Sequence, residues 1–258
     1  MERRTRVLLG ALAGAFFTAC SVKEARRDCP VRLELDLTAF EEVARSVLVE
    51  LDGQIFSCRL DSPDSLVRRL SVASQDPLEI RVWSGAAPSL CREGVLRVPE
   101  GEQSDSLFLF SRELRGRPEK ALVRAVPHKQ FATVTLRLFP AAGEPRPLRY
   151  TVRSDYGCLD LSQGLPVAGR LAIPLAPAGE ESQFRLPRQP ARGNLVLEAE
   201  DPSGGRETYP LGEWILSAGY DWTSPDLDDI VVGADFGLGL FTVEVAPWTA
   251  GGKMEQML

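Results

Sequence analysis

From Cys29 onward the chain is written in short runs of alternating apolar and polar residues, and this period of two constrains its fold more than any other feature. Val31, Leu33, Leu35 and Leu37 alternate with Arg32, Glu34 and Asp36. That pattern places four apolar side chains on one side of a strand and the charges on the other. The next segment reads SVLVEL, Asp52-Gly53, QIFSCRL. An Asp-Gly pair between two apolar runs predicts a tight hairpin, because both central positions of such a turn need positive φ. Residues 62–72, SPDSLVRRLSV, predict a helical turn, with Ser62 as cap and Pro63 at the first position.

Further strands are expected at LEIRVW (78–83), GVLRV (94–98), SLFLF (106–110) and ALVRAV (121–126). After Pro127-His128-Lys129 the pattern restarts with FATVTLRLF (131–139), where Ala132, Val134, Leu136 and Leu138 share a face. It continues through LRYTVRS (148–154), GRLAIPL (169–175), SQFRL (182–186), NLVLEAE (194–200) and RETYPL (206–211). It ends in DIVVGADF (229–236), a turn at Gly237-Leu238-Gly239, and LFTVEVAPW (240–248). Nineteen prolines and 22 glycines punctuate these runs, as expected for loops and strand edges. No fixed-period repeat is visible, which disfavours a solenoid or propeller. The expectation is an all-β chain of two tandem sandwiches, over residues 29–127 and 128–249, with a loose tail at 250–258.

The first twenty residues have a different grammar. Arg3, Arg4 and Arg6 precede an apolar run from Val7 to Phe17, then Thr18-Ala19-Cys20. This is the order of an export signal. A spanning helix needs about 20 apolar residues, more than this run offers. Phe17-Thr18-Ala19-Cys20 resembles the lipobox of bacterial lipoproteins, with Phe17 in place of the usual leucine. The resemblance implies cleavage after residue 19 and lipid on Cys20. Ser21 in place of Asp implies sorting to the outer membrane. Residues 20–28 then form a lipidated polar tether. Removal of Glu2 and the three arginines takes the net charge from −6 to −8 over the remaining 239 residues. So acidic a chain is a poor partner for nucleic acid.

Cysteine and histidine bound the chemistry. Besides Cys20 there are Cys29, Cys58, Cys91 and Cys158. Export permits disulfides. Three pairings are open, and buried free thiols are an equal reading. With one histidine, His128, and no CxxC, a zinc site is not expected. Neither a GxSxG elbow, an HExxH motif nor a P-loop is present, so neither an enzyme nor a cofactor is expected. Asp226, Asp228, Asp229 and Asp235 match no calcium loop and are expected to be solvated loop carboxylates. Trp83, Trp214, Trp222 and Trp248 all lie beside strand patterns and are expected to pack in the core.

The stretch VKEARRDCPVRLELDL behind the lipobox cysteine resembles the start of the fimbrial anchor lipoproteins of type V pili. In those proteins Asp-Cys-Pro stands between the tether and the first strand. Here the matching positions are Arg27, Asp28, Cys29 and Pro30, with Val31 where the family often has a second cysteine. The ending LGEWILSAGYDW, LDDIVV and VEVAPW is similar too. The resemblance implies two transthyretin-like sandwich domains and a structural anchor at the base of a surface pilus. It implies a fimbrial shaft subunit as partner, joined by strand addition, with the outer membrane held through Cys20. It also implies that the first strand is kept, although Arg45 in FEEVARSV offers a protease a site. The alternative reading is a glycan-binding surface lipoprotein of an outer-membrane importer.

Overall fold

A computed structural model describes residues 30–73, 76–116, 118–139, 149–175 and 181–249. The proposed signal, the tether, Cys20, Cys29 and the tail 250–258 lie outside the described residues. Among those described, twenty strands form five sheets. The chain is an all-β sandwich fold.

In the first half, β1 (Val31–Asp36), β2 (Ser46–Leu51), β3 (Gln54–Arg59), β4 (Val67–Val72) and β5 (Leu78–Ser84) are followed by two short strands, β6 (Cys91–Arg92) and β7 (Val95–Arg97). Then come β8 (Phe108–Leu114), β9 (Lys120–Arg124) and β10 (His128–Lys129). The sheets β4-β1-β9 and β10-β8-β5-β2-β3 enclose a core of Leu33, Leu35, Leu37, Val47, Val49, Ile80, Val82 and Val123. In the hairpin between β2 and β3, Asp52 and Gly53 stand at φ 52° and 70°, as the sequence predicts. Residues 62–72 divide: only Pro63–Leu66 is helical, under a Ser62 capping box. Val67–Val72 is a strand, because pairing with β1 outweighs local helix propensity. Gly85 has φ +91°, and a Cβ there would meet the Ser106 carbonyl oxygen at 2.0 Å, so only glycine fits.

The second half holds β11 (Phe131–Phe139), β12 (Arg149–Ser154), β13 (Cys158–Asp160), β14 (Leu165–Val167), β15 (Leu171–Pro174) and β16 (Glu181–Pro187). It closes with β17 (Val196–Glu200), β18 (Arg206–Tyr209), a helix at Leu211–Ser217, β19 (Asp229–Asp235) and β20 (Leu240–Ala246). Sheets β16-β11-β19-β20 and β15-β12-β17-β18 enclose Val134, Leu136, Tyr150, Val152, Leu186, Leu197 and Val232. Pro210 ends β18, and the helix that follows buries Leu211 and Ile215.

The two halves are interlocked. The fifth sheet, β14-β13-β7-β6, pairs strands from both. Leu96 of β7 faces Leu159 of β13, and both join Trp83, Leu107 and Leu109 in a third core. Val98 packs into the second sandwich core. Residues 99–105 then run along the edge between β15 and β16. Gly101 N–H donates to Ala172 O at 3.0 Å, and Ser104 N–H donates to Arg185 O at 3.0 Å. The first half therefore covers an open edge of the second, which would otherwise present unpaired donors and acceptors.

Candidate functional site

Strand β1 is the centre of a three-stranded sheet, not its edge. It runs antiparallel to β4, from Val31↔Val72 to Asp36↔Val67, and parallel to β9, from Arg32↔Lys120 to Asp36↔Arg124. Val31, Leu33, Leu35 and Leu37 are all buried, none more than 1 % exposed. At about 1.5–3 kcal/mol for each fully buried side chain, the four together rival the whole stability of an ordinary domain. The strand end is fastened as well. Leu37 N–H donates to Leu66 O at 2.7 Å, and Ala125 N–H donates to Asp36 O at 2.8 Å. The Asp36 carboxylate accepts from both the amide and the hydroxyl of Thr38, at 2.9 and 2.6 Å. The hydroxyl bond, foremost, holds its pKa below the usual carboxylate value.

Arg45 is exposed, one residue ahead of β2. Its carbonyl accepts from Leu60 N–H at 2.9 Å, while its side chain stands free in solvent. A cut there would separate β1 from all that follows. Loss of β1 would leave β4 and β9 facing one another across an empty groove with unpaired edges.

The second feature is the junction between the sandwiches. Strand β10 pairs with β8 of the first half, and Lys129 is only 2 % exposed. Its Nζ donates to Asp229 Oδ1 at 2.6 Å and to Leu227 O at 2.9 Å. It also sits over the Phe131 ring, 4.8 Å from the centroid. Asp229 Oδ1 accepts from Thr133 N–H, and Asp226 Oδ1 from Lys129 N–H, both at 2.7 Å. His128 Nδ1 faces Asp226 Oδ2 at 3.2 Å. Asp228 Oδ1 accepts from Trp248 N–H at 2.8 Å, which sets the Trp248 ring against Phe108 of the first half. Asp235 holds the following turn through Leu238 N–H at 3.0 Å. These aspartates are thus staples for backbone amides and one buried ammonium, not free loop charges. They form no metal-binding cluster among the described residues.

Trp83 and Trp222 are buried, as the sequence suggests. Trp214 and Trp248 are half-buried, and Trp214 stacks on Phe241 at 3.9 Å between centroids. Cys58 and Cys158 are buried free thiols, and Cys91 is a half-buried one. They lie on β3, β13 and β6, and no two of them are bonded. Sequence reasoning overlooked Lys129. Its signals are a lysine two places before a buried Phe131 and the dense aspartates at 226–229 that await a cation.

No known family profile matches the chain, and no curated protein sequence matches it. Solved structures do. A candidate polysaccharide-binding protein of Bacteroides thetaiotaomicron superposes with TM-score 0.56 at 11 % identity, covering 83 % of this chain and 95 % of that one. A candidate adhesin of Bacteroides ovatus gives 0.52 at 11 %, over 88 % and 95 %. The fimbrial anchor protein Mfa2 of Porphyromonas gingivalis gives 0.50 at 15 %, over 86 % and 99 %. At such identities the likeness is one of fold, and in fold the structural neighbours of this chain include a fimbrial anchor protein and candidate adhesins.

Proposed function

We propose that the chain is a structural subunit at the base of a surface pilus, tying the fimbrial shaft to the outer membrane through lipid on Cys20. The observation that carries this reading is the central, fully buried position of β1 between β4 and β9. A strand so held, and joined through residues 20–30 to a lipid, resists extraction by cooperative backbone hydrogen bonds and four buried side chains. The groove it fills is closed to a neighbour's strand. Contact with the shaft by strand addition must then use another edge, with backbone hydrogen bonds supplying affinity and alternate side chains supplying specificity. The two sandwiches act as tandem transthyretin-like domains, joined at β10, with residues 91–107 shared between them. The fold it has in common with a fimbrial anchor protein supports the reading. Its location is the cell surface, on the outer membrane, and its role is adhesion and assembly, with no catalytic step.

Two measurements test it. Cys20→Ala protein should lose palmitate labelling and leave the membrane fraction. Amino-terminal analysis of the chain recovered from assembled filaments should find the lipidated cysteine still attached. A chain that begins at Ser46 without its lipidated fragment would instead indicate a shaft or tip subunit.

A further inference from the structure

A cleft of about 570 Å³ opens where the junction meets the β13–β14 loop. That is the size of a small-ligand site. On its floor is Arg188, 5 % exposed. Its Nε donates to Gln130 Oε1 at 2.9 Å, one Nη to Pro225 O at 3.0 Å and the other to Trp222 O. All three acceptors are neutral. Among the described residues no carboxylate comes within ion-pair distance of this guanidinium. A guanidinium carries five N–H donors, so two stay unassigned. Buried charges are ordinarily paired. Burial pulls the Arg188 pKa down, and the fields of Tyr220, Asp226 and Asp221 offset the effect. Both of those carboxylates are engaged elsewhere: Asp226 with His128 and Lys129, Asp221 with Thr223. The rim carries hydroxyl and amide groups at Ser162, Gln163 and Ser224, beside the apolar Leu165, itself 52 % exposed.

We propose that this cleft binds an acidic sugar residue, its carboxylate on Arg188 and its hydroxyls on the polar rim. The chemistry follows from the lining. A carboxylate is the planar acceptor that a guanidinium takes in a paired contact. Hydroxyl and amide side chains set beside an apolar surface match a sugar ring, which carries hydroxyls on its edge and C–H bonds on its faces. The site is independent of the lipid and of the shaft, so it stands or falls apart from the anchor reading.

The test is titration of the full-length protein in detergent with D-glucuronate and, separately, D-galacturonate, followed by tryptophan fluorescence. Saturable binding by at least one is expected, with glucose and acetate each weaker by about tenfold or more, the loss expected from one charge-assisted contact or from the hydroxyl set. Ala191→Trp fills the mouth from an exposed position and spares the core; it should weaken binding by a similar factor with an unchanged melting temperature. Arg188→Gln should do the same in whatever fraction folds. The proposal is overturned if neither uronate binds saturably, if glucose or acetate binds as well as the uronates, or if Ala191→Trp binds as the parent does.

Discussion

Lys129 Nζ lies 2.6 Å from Asp229 Oδ1, a hundred residues further along the chain, at the point where the second sandwich meets the first. The lysine is buried, whereas the Asp229 side chain keeps 19 % exposure. Removal of one partner leaves the other charge stranded, which typically costs more than the pair contributes. Lys129→Met should therefore destabilise the protein by about 3 kcal/mol. The double variant Lys129→Met/Asp229→Asn should lose less than the sum of the single variants. Urea unfolding followed by tryptophan fluorescence measures all three, and strictly additive losses would show that the two groups are not coupled.

The retention of β1 is a claim about packing. Leu35→Ala should cost about 2–5 kcal/mol, as large-to-small core substitutions do. Glu34→Gln, on the outer face of the same strand, should stay within about 0.5 kcal/mol. Limited trypsinolysis that cuts at Arg45 should leave the amino-terminal fragment bound until denaturant is added. Spontaneous release of that fragment in native buffer would contradict the cohesion argued for β1.

The interlock predicts that the second sandwich is not self-sufficient at full stability. A fragment covering 128–258 lacks Leu96, Val98 and the 99–105 segment that covers the β15–β16 edge. It should melt well below the intact chain and associate through the uncovered edge. Leu96→Ala in the full chain should cost about 2–5 kcal/mol, although its sequence position places it in the first half. An isolated 128–258 fragment as stable and monomeric as the whole would show that the segment is ornamental.

The thiols should be inert in the native protein. Burial pushes the Cys91 pKa up to about 11, with Glu50 adding to the effect, and raises Cys58 and Cys158 in the same direction. Only the thiolate reacts, so maleimide labelling of these three cysteines near neutral pH should be slow. Labelling should become fast in denaturant. Prompt native labelling of Cys91 would mean that its surroundings open readily.

Acid should weaken the first sandwich through Asp36. Its folded pKa is depressed, by the Thr38 hydroxyl bond above all, so the ionised form contributes stability above the unfolded carboxylate pKa of about 3.9. That contribution is lost as pH falls from there through the lower folded value. Asp36→Asn should lower the melting temperature near neutrality, where the ionised carboxylate contributes, and flatten the acid part of the melting temperature against pH curve, so that variant and parent converge in acid. A curve as steep for the variant as for the parent would assign the acid sensitivity elsewhere.

Much of this fold was legible in the chain because strand formation here is a local matter of alternation. The faces of β1 and β11, the Asp52-Gly53 hairpin and the Gly237-Leu238-Gly239 turn could be read directly, since each depends on residues a few places apart. The Val67–Val72 segment shows where this ends: its local signals favour a helix, and only the β1 backbone beside it makes it a strand. Strand β13 is too short to carry a period. Strand β7 falls within the strand expected at 94–98, but its pairing with β13 does not show in the sequence, nor does the place of Val98 in a core built from residues more than thirty places later. Lys129 looked like a linker lysine and the aspartates at 226–229 like solvated charges, because their meaning lies in one another. Arg188 is similar: a sequence shows an arginine after a strand, and only the tertiary structure shows it buried against neutral carbonyls. Local periodicity decided which residues face inward. The pairing of distant edges and the burial of charge, whose energies depend on what arrives from elsewhere in the chain, were left for the tertiary structure to decide.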